Sequence, residues 1–340
     1  MRIVVTGATG NVGSALLRRL AADGSPPAVT GIVRRPPKPG LAPYDSATWV
    51  SCDLGASDAP GTLGEVMAGA DAVVHLAWQI QPSHQPERLW RTNVLGSQTV
   101  FDAAAAAGVP HLVYASSVGV YGPGPKDRAV DESWPTTGVP GSLYSQHKAL
   151  TERHLDRLEQ AFPDLTITRM RPGLIFARES ASEIVRYFLG PLVPTSLIRR
   201  VRLPVLPMSA RLRFQVVHAD DVAAGYDLAL RVRAAGAFNV AADPVLGPAD
   251  VATALRWGRA VDVPVPLLRA AAAATWRARL QPTSPGWVDL AAGAPIMSSE
   301  RARTVLGWTP SKAADEVLVE LLAGMADSSG ATGPLLYPKH

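Results

Sequence analysis

The feature that most constrains this sequence is its beginning, MRIVVTGATGNVG, where a β-branched run leads directly into three spaced glycines. Residues 2–5 predict a buried parallel strand, and the apolar spacing that follows predicts a helix over residues 11–23. Strand, glycine turn and helix in this order are typical of a dinucleotide-binding site, although ordinary turns also contain glycine. In the binding interpretation Gly7 permits the tight turn, Gly10 lets the backbone approach a pyrophosphate, and Gly13 lets the helix pack closely. The helix N-terminus then offers N–H groups and a positive dipole end to phosphate.

Bulk properties exclude several classes of protein. The 340 residues suffice for one large α/β domain or two closely joined ones. There is no apolar run of about 18 residues, so we predict no transmembrane helix and no membrane partner. A single cysteine, Cys52, argues against a disulfide framework, and no metal site is predicted. The net charge of +4 comes without a basic stripe interleaved with aromatic residues, so no nucleic acid is expected. Because the first strand begins at residue 2, we predict no signal peptide and a cytoplasmic location.

Strands and helices alternate along the chain, which predicts an α/β fold: a doubly wound parallel sheet (Rossmann) with a smaller, mainly helical C-terminal substrate domain. Predicted strands lie near residues 29–33, 48–52, 72–77, 111–115, 165–170, 213–217 and 238–241. Predicted helices include 61–68, 87–107, 142–160, 222–233 and 311–325, the last with Ser311 as its N-cap. The predicted division gives 1–172 to the dinucleotide-binding domain, with 213–233 returning to it, 173–212 and 234–326 to the substrate-binding domain, and 327–340 to a disordered tail.

The end of the second strand bears on the choice of cofactor. A carboxylate at that position binds the adenosine ribose hydroxyls, whereas arginine accommodates a 2′-phosphate. This sequence has Arg34 and Arg35 there, which favours NADP, with NAD as the alternative if both are simply solvated surface residues. Asp53, after the third strand, could accept a hydrogen bond from the adenine amino group or cap the next segment.

Three further features have two interpretations each. His75 lies inside an apolar strand, which favours a core residue over a catalytic one. Trp78 could form a wall of the substrate pocket or pack in the core. The arginines at 186, 199, 200, 202, 211 and 213 could bind an anionic group of the substrate or belong to a solvated lid.

Tyr144 and Lys148 are spaced i, i+4 and share one face of a predicted helix. A tyrosine has a reference pKa of about 10, and a nearby ammonium lowers it toward the range useful for general acid–base catalysis. Tyr144 would then give a proton to a carbonyl oxygen or take one from an alcohol. Ser117, at the carboxyl end of the fifth strand, could hydrogen-bond the reacting oxygen or only form a turn, and Ser116 is the competing candidate.

These motifs together resemble the extended short-chain dehydrogenase/reductase superfamily, the group that contains the NAD-dependent epimerase/dehydratases. The resemblance covers about residues 1–325 and lies in TGATGNVG (6–13), DL (53–54), HLA (75–77), Asn93, SSVGVYG (116–122), Tyr144 and Lys148, RP (171–172), VHADDV (217–222) and LGWTP (306–310). It implies a nicotinamide cofactor along the sheet edge, with Ser117, Tyr144 and Lys148 catalytic and Lys148 also binding the nicotinamide ribose. It further implies a homodimer formed through the helices near 87–107 and 142–160.

The implied cofactor contacts are Gly7, Thr9, Gly10, Asn11, Val12, Gly13, Arg34, Arg35, Asp53, Leu54, Leu76, Ala77, Asn93, Tyr144, Lys148 and Pro172. The expected contacts to a small-molecule substrate are Trp78, Ser117, Tyr121 and Arg213.

Departures from the family pattern narrow the expected reaction. Val118 and Gly119 stand where sugar-nucleotide dehydratases carry an Asp-Glu pair. Phe214 occupies the position of a diphosphate-binding arginine, with Arg213 one step earlier, and residues 173–177 look more like those of reductases acting on less polar ketones. We therefore expect an NAD(P)-dependent oxidoreductase acting on a carbonyl or alcohol. The alternatives are an NAD-dependent sugar (nucleotide) epimerase with transient oxidation and a non-catalytic NAD(P)-binding sensor or scaffold.

Overall fold

The computed structural model describes residues 1–190 and 201–330. Two of the arginines considered above, Arg199 and Arg200, and residues 331–340 of the predicted tail lie outside the described residues.

The described strands and helices follow in chain order. The strands are β1 (Arg2–Thr6), β2 (Ala28–Val33), β3 (Ala47–Ser51), β4 (Ala72–His75), β5 (His111–Ala115), β6 (Ala129–Val130), β7 (Thr166–Pro172), β8 (Leu174–Phe176), β9 (Val205–Pro207), β10 (Val216–His218), β11 (Gly236–Val240), β12 (Arg259–Val261) and β13 (Ile296–Met297). The α-helices are α1 (Asn11–Ala21), α2 (Ala59–Met67), α3 (Pro86–Trp90), α4 (Gly96–Ala106), α5 (Leu143–Ala161), α6 (Ala181–Ile184), α7 (Ala219–Val232), α8 (Pro248–Leu255), α9 (Val265–Arg277), α10 (Gly286–Gly293), α11 (Glu300–Leu306) and α12 (Ala314–Ala326).

Seven strands form one parallel sheet in the order β11-β7-β5-β4-β1-β2-β3. The chain winds outward from β1 in one direction through β2 and β3, then in the other from β4. The carboxyl ends of β1 and β4 therefore meet at the point where the strand order reverses, which is where ligands bind in such sheets. The prediction of a doubly wound Rossmann sheet is confirmed.

Two apolar cores cover the faces of this sheet, as the alternation of side chains in β1 requires. Ile3 and Val5 point into the core beneath α1 and α7, whereas Val4 points into the core beneath α2 and α4. All three side chains are fully buried, so β1 is apolar on both faces. This position in the middle of the sheet explains why the N-terminal segment is the easiest strand to predict.

The predicted helix at 87–107 is interrupted in the structure. A π-helical turn, Arg91–Leu95, separates α3 from α4. This turn contains Asn93, whose amide exchanges two hydrogen bonds with the backbone of Gln79, at 2.7 and 2.8 Å. At Gly96 a Cβ would lie 3.0 Å from Leu54, so α4 begins against the loop after β3.

Three expectations for the second half of the chain are wrong. The strand predicted at 213–217 is β10, which pairs with β8 in a separate two-stranded sheet and not with the main sheet. The seventh strand of the main sheet is instead β11, which lies in the range assigned to the substrate-binding domain. Ser311 does not cap α12, because that helix begins at Ala314. The Ser311 hydroxyl instead donates to Asp221 Oδ1 at 2.6 Å.

Within residues 1–190 and 201–330, no helix is long and apolar enough to cross a bilayer. The same residues contain no group of three or more His, Cys, Asp or Glu arranged to hold a metal ion.

His75 is a core residue, as interpreted from the sequence. It is fully buried, with Nδ1 2.7 Å from the Thr6 hydroxyl and Nε2 2.8 Å from the Ser97 hydroxyl. Burial, with the Lys148 ammonium as a smaller cause, lowers the pKa of His75 to about 3.

We expect this buried imidazole to make the protein less stable in acid. Above pH ~6.5 His75 is neutral in both the folded and unfolded states. As the pH falls from there toward 3, the unfolded chain takes up a proton that the folded chain refuses, which removes about 1.4 kcal/mol of unfolding free energy per pH unit. Urea unfolding of His75→Asn at a series of pH values gives the free energy of unfolding as a function of pH. The slope of that dependence should be shallower than in the wild type by about the same amount. His84→Asn, at an exposed position, is the control for the loss of one histidine. An unchanged slope in His75→Asn contradicts the assignment.

Candidate active site

The glycine turn between β1 and α1 brings backbone segments too close together for side chains. Gly7 has a φ of +70°, and a Cβ there would lie 2.6 Å from the backbone nitrogen of Ala77. Gly10 is the N-cap of α1, and its N–H donates to the Gly7 carbonyl at 3.1 Å. A Cβ on Gly13 would lie 2.6 Å from the backbone of Ala8, so the close contact at this position is with the turn itself. The result is an open helix N-terminus at the switch point of the sheet, which suits a pyrophosphate.

The other predicted contacts from β1 and β4 lie around this turn. The Leu76 N–H donates to the Thr6 carbonyl at 3.1 Å, and the Ala77 N–H donates to the Thr6 hydroxyl at 3.3 Å. Thr9 is buried within the turn, and Val12 is half-buried on α1. The Asn11 amide lies 3.5 Å from the Ile175 carbonyl, which links α1 to β8. Pro172 ends β7 at the same edge of the sheet.

Arg34 and Arg35 directly follow β2 and are exposed at this edge. The charge of Arg34 acts on Tyr187, where it opposes the rise in pKa that burial causes. Asp53 forms a local turn, with its Oδ1 accepting from the Gly55 N–H at 3.0 Å. Leu54 is buried under the start of α4. Asp53 does not cap the next helix, because the N-cap of α2 is Asp58. The second carboxylate oxygen of Asp53 is not used in the turn with Gly55.

The three candidate catalytic residues lie at the end of β5 and on the facing helix α5. Ser117 begins a 3₁₀ turn, Val118–Val120, and its Oγ accepts from the Gly119 N–H at 3.0 Å. The Tyr144 ring lies against this turn, since a Cβ on Gly119 would be 2.8 Å from Tyr144 Cε1 and 3.4 Å from Ser117 Oγ. The Ser145 hydroxyl donates to the Gly119 carbonyl and so fixes α5 against the turn. Gly119 and Ser145 are positioning residues that the sequence did not single out.

Burial dominates the ionisation of Tyr144. It raises the pKa of Tyr144 to about 12, although a hydrogen bond with Ser117 acts in the opposite direction. The phenol is therefore protonated at neutral pH. The expectation that Lys148 lowers the pKa of Tyr144 is wrong for this structure, because the ammonium is directed elsewhere.

The Lys148 ammonium lies within a closed set of neighbours. It donates to the Ala115 carbonyl at 2.6 Å and to the Tyr114 hydroxyl at 3.3 Å. The Trp78 ring covers it at 3.5 Å from the ring centre, whereas the centre of the Tyr144 ring is 5.9 Å away. Burial lowers the pKa of Lys148 well below its ordinary value, and Glu152 opposes this shift. Trp78 thus contacts Lys148 directly, and the buried indole N–H of Trp78 has no hydrogen-bond partner among the described residues.

Ser116 belongs to a buried ionic network and not to the reacting pair. Its hydroxyl donates to Glu152 Oε1 at 2.5 Å, and Glu152 accepts from Arg171 at 2.9 and 2.5 Å. Tyr121 belongs to the same network: its hydroxyl donates to Asn239 Oδ1 at 2.6 Å and accepts from Arg171 at 3.0 Å. Tyr121 is 0 % exposed, so its ring offers no surface to a substrate, contrary to the prediction.

The other two predicted substrate contacts, Trp78 and Arg213, differ in their distance from the cavity beside Tyr144. A cavity of about 40 Å³ lies beside Tyr144, between the loop after β4, the start of α5 and the start of α10. Trp78 contacts Tyr144 at the edge of this region, with ring centres 5.8 Å apart. Arg213 does not line the cavity; its carbonyl accepts from the Lys126 ammonium at 2.8 Å.

Sequence reasoning missed Trp287, which does line the cavity. Its ring centre is 5.0 Å from that of Tyr144, and Phe188 packs edge-on against its other side at 4.9 Å. The sequence signal is a tryptophan directly after Pro285 and Gly286 at a helix start. The sequence does not indicate that α10 lies against α5, so it does not predict that Trp287 contacts Tyr144.

Residues 3–241 match the sequence profile of the NAD dependent epimerase/dehydratase family. The chain belongs to that family. The resemblance to the extended short-chain dehydrogenase/reductase superfamily is thereby confirmed.

Curated relatives include two proteins named as reductases. A Synechocystis sp. protein, whose name assigns it provisionally to the dihydroflavonol 4-reductases, is 29 % identical over 232 residues, which are 66 % of this chain and 62 % of the relative. A protein of Stigmatella aurantiaca named 4-hydroxy-2-methyl-3-oxo-4-farnesyl-3,4-dihydroquinoline-1-oxide ketoreductase is 31 % identical over 202 residues, 59 % of this chain and 57 % of the relative. The chain therefore spans about six tenths of the length of these relatives.

Solved structures share the fold over nearly the whole chain. UDP-glucose 4-epimerase of Thermus thermophilus, in complex with NAD, has a TM-score of 0.69 at 21 % identity, covering 96 % of this chain and 99 % of that one. A short-chain dehydrogenase/reductase superfamily protein of Agrobacterium tumefaciens, with bound NAD, has a TM-score of 0.68 at 24 % identity, covering 95 % and 97 %. At these identities the likeness establishes the fold.

Proposed function

We propose that this protein is an NAD(P)-dependent oxidoreductase that transfers hydride between a nicotinamide cofactor and a carbonyl or alcohol of a small molecule. One observation carries the proposal: the Tyr144 ring lies against the turn that begins at Ser117, since a Cβ on Gly119 would be 2.8 Å from Tyr144 Cε1 and 3.4 Å from Ser117 Oγ. Two hydroxyl groups at the carboxyl edge of a Rossmann sheet are suited to hold and protonate a substrate oxygen.

The residues around the turn fit a dinucleotide. Side chains at Gly7 and Gly13 would clash with backbone, so these positions keep the N-terminus of α1 clear for phosphate. Arg34 and Arg35 would hold an adenosine 2′-phosphate. Lys148, whose ammonium is enclosed by Ala115, Tyr114 and the Trp78 ring, would reach the nicotinamide ribose only after Trp78 moves aside. The bound nicotinamide supplies or accepts the hydride.

The protonation of Tyr144 favours the reduction direction at neutral pH. A phenol with a pKa of about 12 keeps its proton and gives it to the substrate oxygen as negative charge develops there. Ser117 holds the same oxygen. In the oxidation direction Tyr144 must first lose its proton, so that direction gains from higher pH.

A net reductase is supported over an epimerase by two features. The relatives named as reductases are 29 % and 31 % identical to this chain over 232 and 202 residues. A sugar diphosphate would require arginine or lysine side chains to pair with its phosphates. Among the described residues, no arginine or lysine lines the cavity beside Tyr144. An epimerase would return its hydride and consume no cofactor, and a sensor would bind the dinucleotide without turnover.

We also propose a homodimer. Its contact surface would include the end of α3 and the turn that leads into α4. The large apolar side chains of Trp90 and Leu95 are 40 % and 45 % exposed there. Sedimentation of the wild type should give the dimer mass and that of Leu95→Glu the monomer mass; a monomeric wild type excludes the dimer.

Replacing Tyr144 by Phe removes the proposed proton donor and keeps the ring. We expect turnover of a carbonyl panel to fall by about 10²–10⁴-fold, with dinucleotide binding retained. The measurement is the loss of reduced-nicotinamide absorbance, together with cofactor titration by fluorescence. The matched control is Tyr121→Phe, which also removes one buried phenolic hydroxyl but lies away from the cavity. Unchanged turnover in Tyr144→Phe removes the proposed mechanism.

Cofactor preference tests the role of Arg34 and Arg35. We expect NADPH to bind at least about tenfold more tightly than NADH, because a 2′-phosphate gains charge-assisted hydrogen bonds from guanidinium groups. The double replacement Arg34→Ala and Arg35→Ala should bring the two dissociation constants together by weakening NADPH alone. A control at Lys38, exposed a few residues further on, should keep the preference. Tighter binding of NADH by the wild type overturns the assignment.

A further inference from the structure

Four aromatic side chains from four separate segments meet at the candidate active site. Trp78 follows β4, Tyr144 lies on α5, Trp287 on α10, and Phe188 in a π-helical turn, Val185–Leu189. Their ring centres follow one another at 5.8, 5.0 and 4.9 Å. These separations lie in the range in which aromatic rings attract each other. All four are partly exposed, so the row presents ring surface beside the proposed proton donor.

We propose that this row recognises an uncharged, flat aromatic ketone and that Trp287 is the specificity-determining residue that receives its ring. The inference rests on the proposed function, because it takes Tyr144 as the group that the substrate carbonyl approaches.

The described residues that line the cavity beside Tyr144 include no Asp, Glu, Lys or Arg. Its polar lining residues are Gln79, Ser83, Asn93, Ser142, His147 and Ser284. Burial lowers the pKa of His147 to about 4, so its imidazole is uncharged at neutral pH. The nearby Lys148 ammonium is covered by the Trp78 ring and bonded to Ala115 and Tyr114. A charged substrate would lose its hydration here without gaining an ionic partner, which disfavours it.

Ring recognition follows from the contact that Trp287 already makes. The Trp287 and Tyr144 rings are inclined by 37°, so part of one indole face meets the phenol. An aromatic substrate whose carbonyl reaches Tyr144 lies beside the same indole and offers it another π-face. A saturated ring of equal size buries a similar apolar area but lacks the quadrupole that gives aromatic pairs their additional attraction.

The position of Trp287 is fixed by contacts on both sides of α10. A Cβ on Gly286 would lie 2.4 Å from the Gly141 carbonyl oxygen, so the helix begins directly against the segment that precedes α5. The Arg269 guanidinium pairs with Asp289 at 2.8 Å. At the other end the Lys126 ammonium donates to the Ala291 carbonyl at 2.8 Å. These contacts hold the indole against Tyr144.

The test compares two ketones that share carbon number and carbonyl position: acetophenone and cyclohexyl methyl ketone. Calorimetric titrations use the full chain saturated with NADP⁺, which cannot reduce either ketone. We expect wild type to bind acetophenone about tenfold more tightly, a difference equal to about 1.4 kcal/mol. Trp287→Leu should bring the ratio close to one, and Trp287→Phe should keep most of it. Trp257→Leu, which removes a tryptophan remote from the cavity, should leave the ratio as in the wild type.

Equal dissociation constants of the two ketones for the wild type overturn the inference, and this result does not depend on the folding of any variant. So does a ratio that Trp287→Leu, shown to be folded by circular dichroism, leaves unchanged. Turnover with NADPH separates the two proposals. Oxidation of NADPH by both ketones with equal kcat/KM and equal binding overturns ring recognition and leaves the proposed function standing. Preferential binding of acetophenone without NADPH oxidation supports ring recognition and counts against the proposed function.

Discussion

The close approach of Gly7 to Ala77 positions both parts of the candidate site. The end of β1 and the end of β4 come so near that a single Cβ at Gly7 would overlap the neighbouring chain. This contact holds the turn under the N-terminus of α1 and fixes where the loop after β4 departs. That loop carries Trp78 to Lys148 and is held by the reciprocal bonds between Gln79 and Asn93. The phosphate side and the reacting side of the candidate site therefore share one point of origin.

Burial, more than charge pairing, controls the electrostatics of the reacting groups. Tyr144 and Lys148 face the same region, yet the ammonium gives its hydrogen bonds to β5 and its remaining side to an indole face. The pKa of Tyr144 is accordingly raised and that of Lys148 lowered, each mainly by loss of water. Both groups are thus displaced toward their neutral forms. Such a site handles a proton at the phenol with little net charge to solvate.

Short-range patterns in the sequence were sufficient for the first half of the fold. The alternation of Ile3, Val4 and Val5 between two cores, and the glycines that follow, are local features with local causes. The second half depends on long-range contacts that leave little local signal. Residues 213–217 look like a strand of the main sheet, but β10 finds β8, and β11 takes the edge of the main sheet. Ser311 resembles a helix cap and instead bonds Asp221, 90 residues away. Trp287 and Tyr121 show the same limit in the site, since motif spacing reveals neither that the first faces Tyr144 nor that the second is enclosed.

The aromatic row is assembled from positions 78, 144, 188 and 287, whereas the glycine turn between β1 and α1 is one continuous stretch of chain. These two constructions respond differently to mutation. A change in the turn alters backbone geometry that several strands and a helix share, so few substitutions there leave the protein intact. A change at Trp287 or Phe188 alters one wall and leaves the other three in place. If the aromatic row selects the substrate as proposed, the range of accepted substrates can change one side chain at a time while the proposed dinucleotide site stays constant.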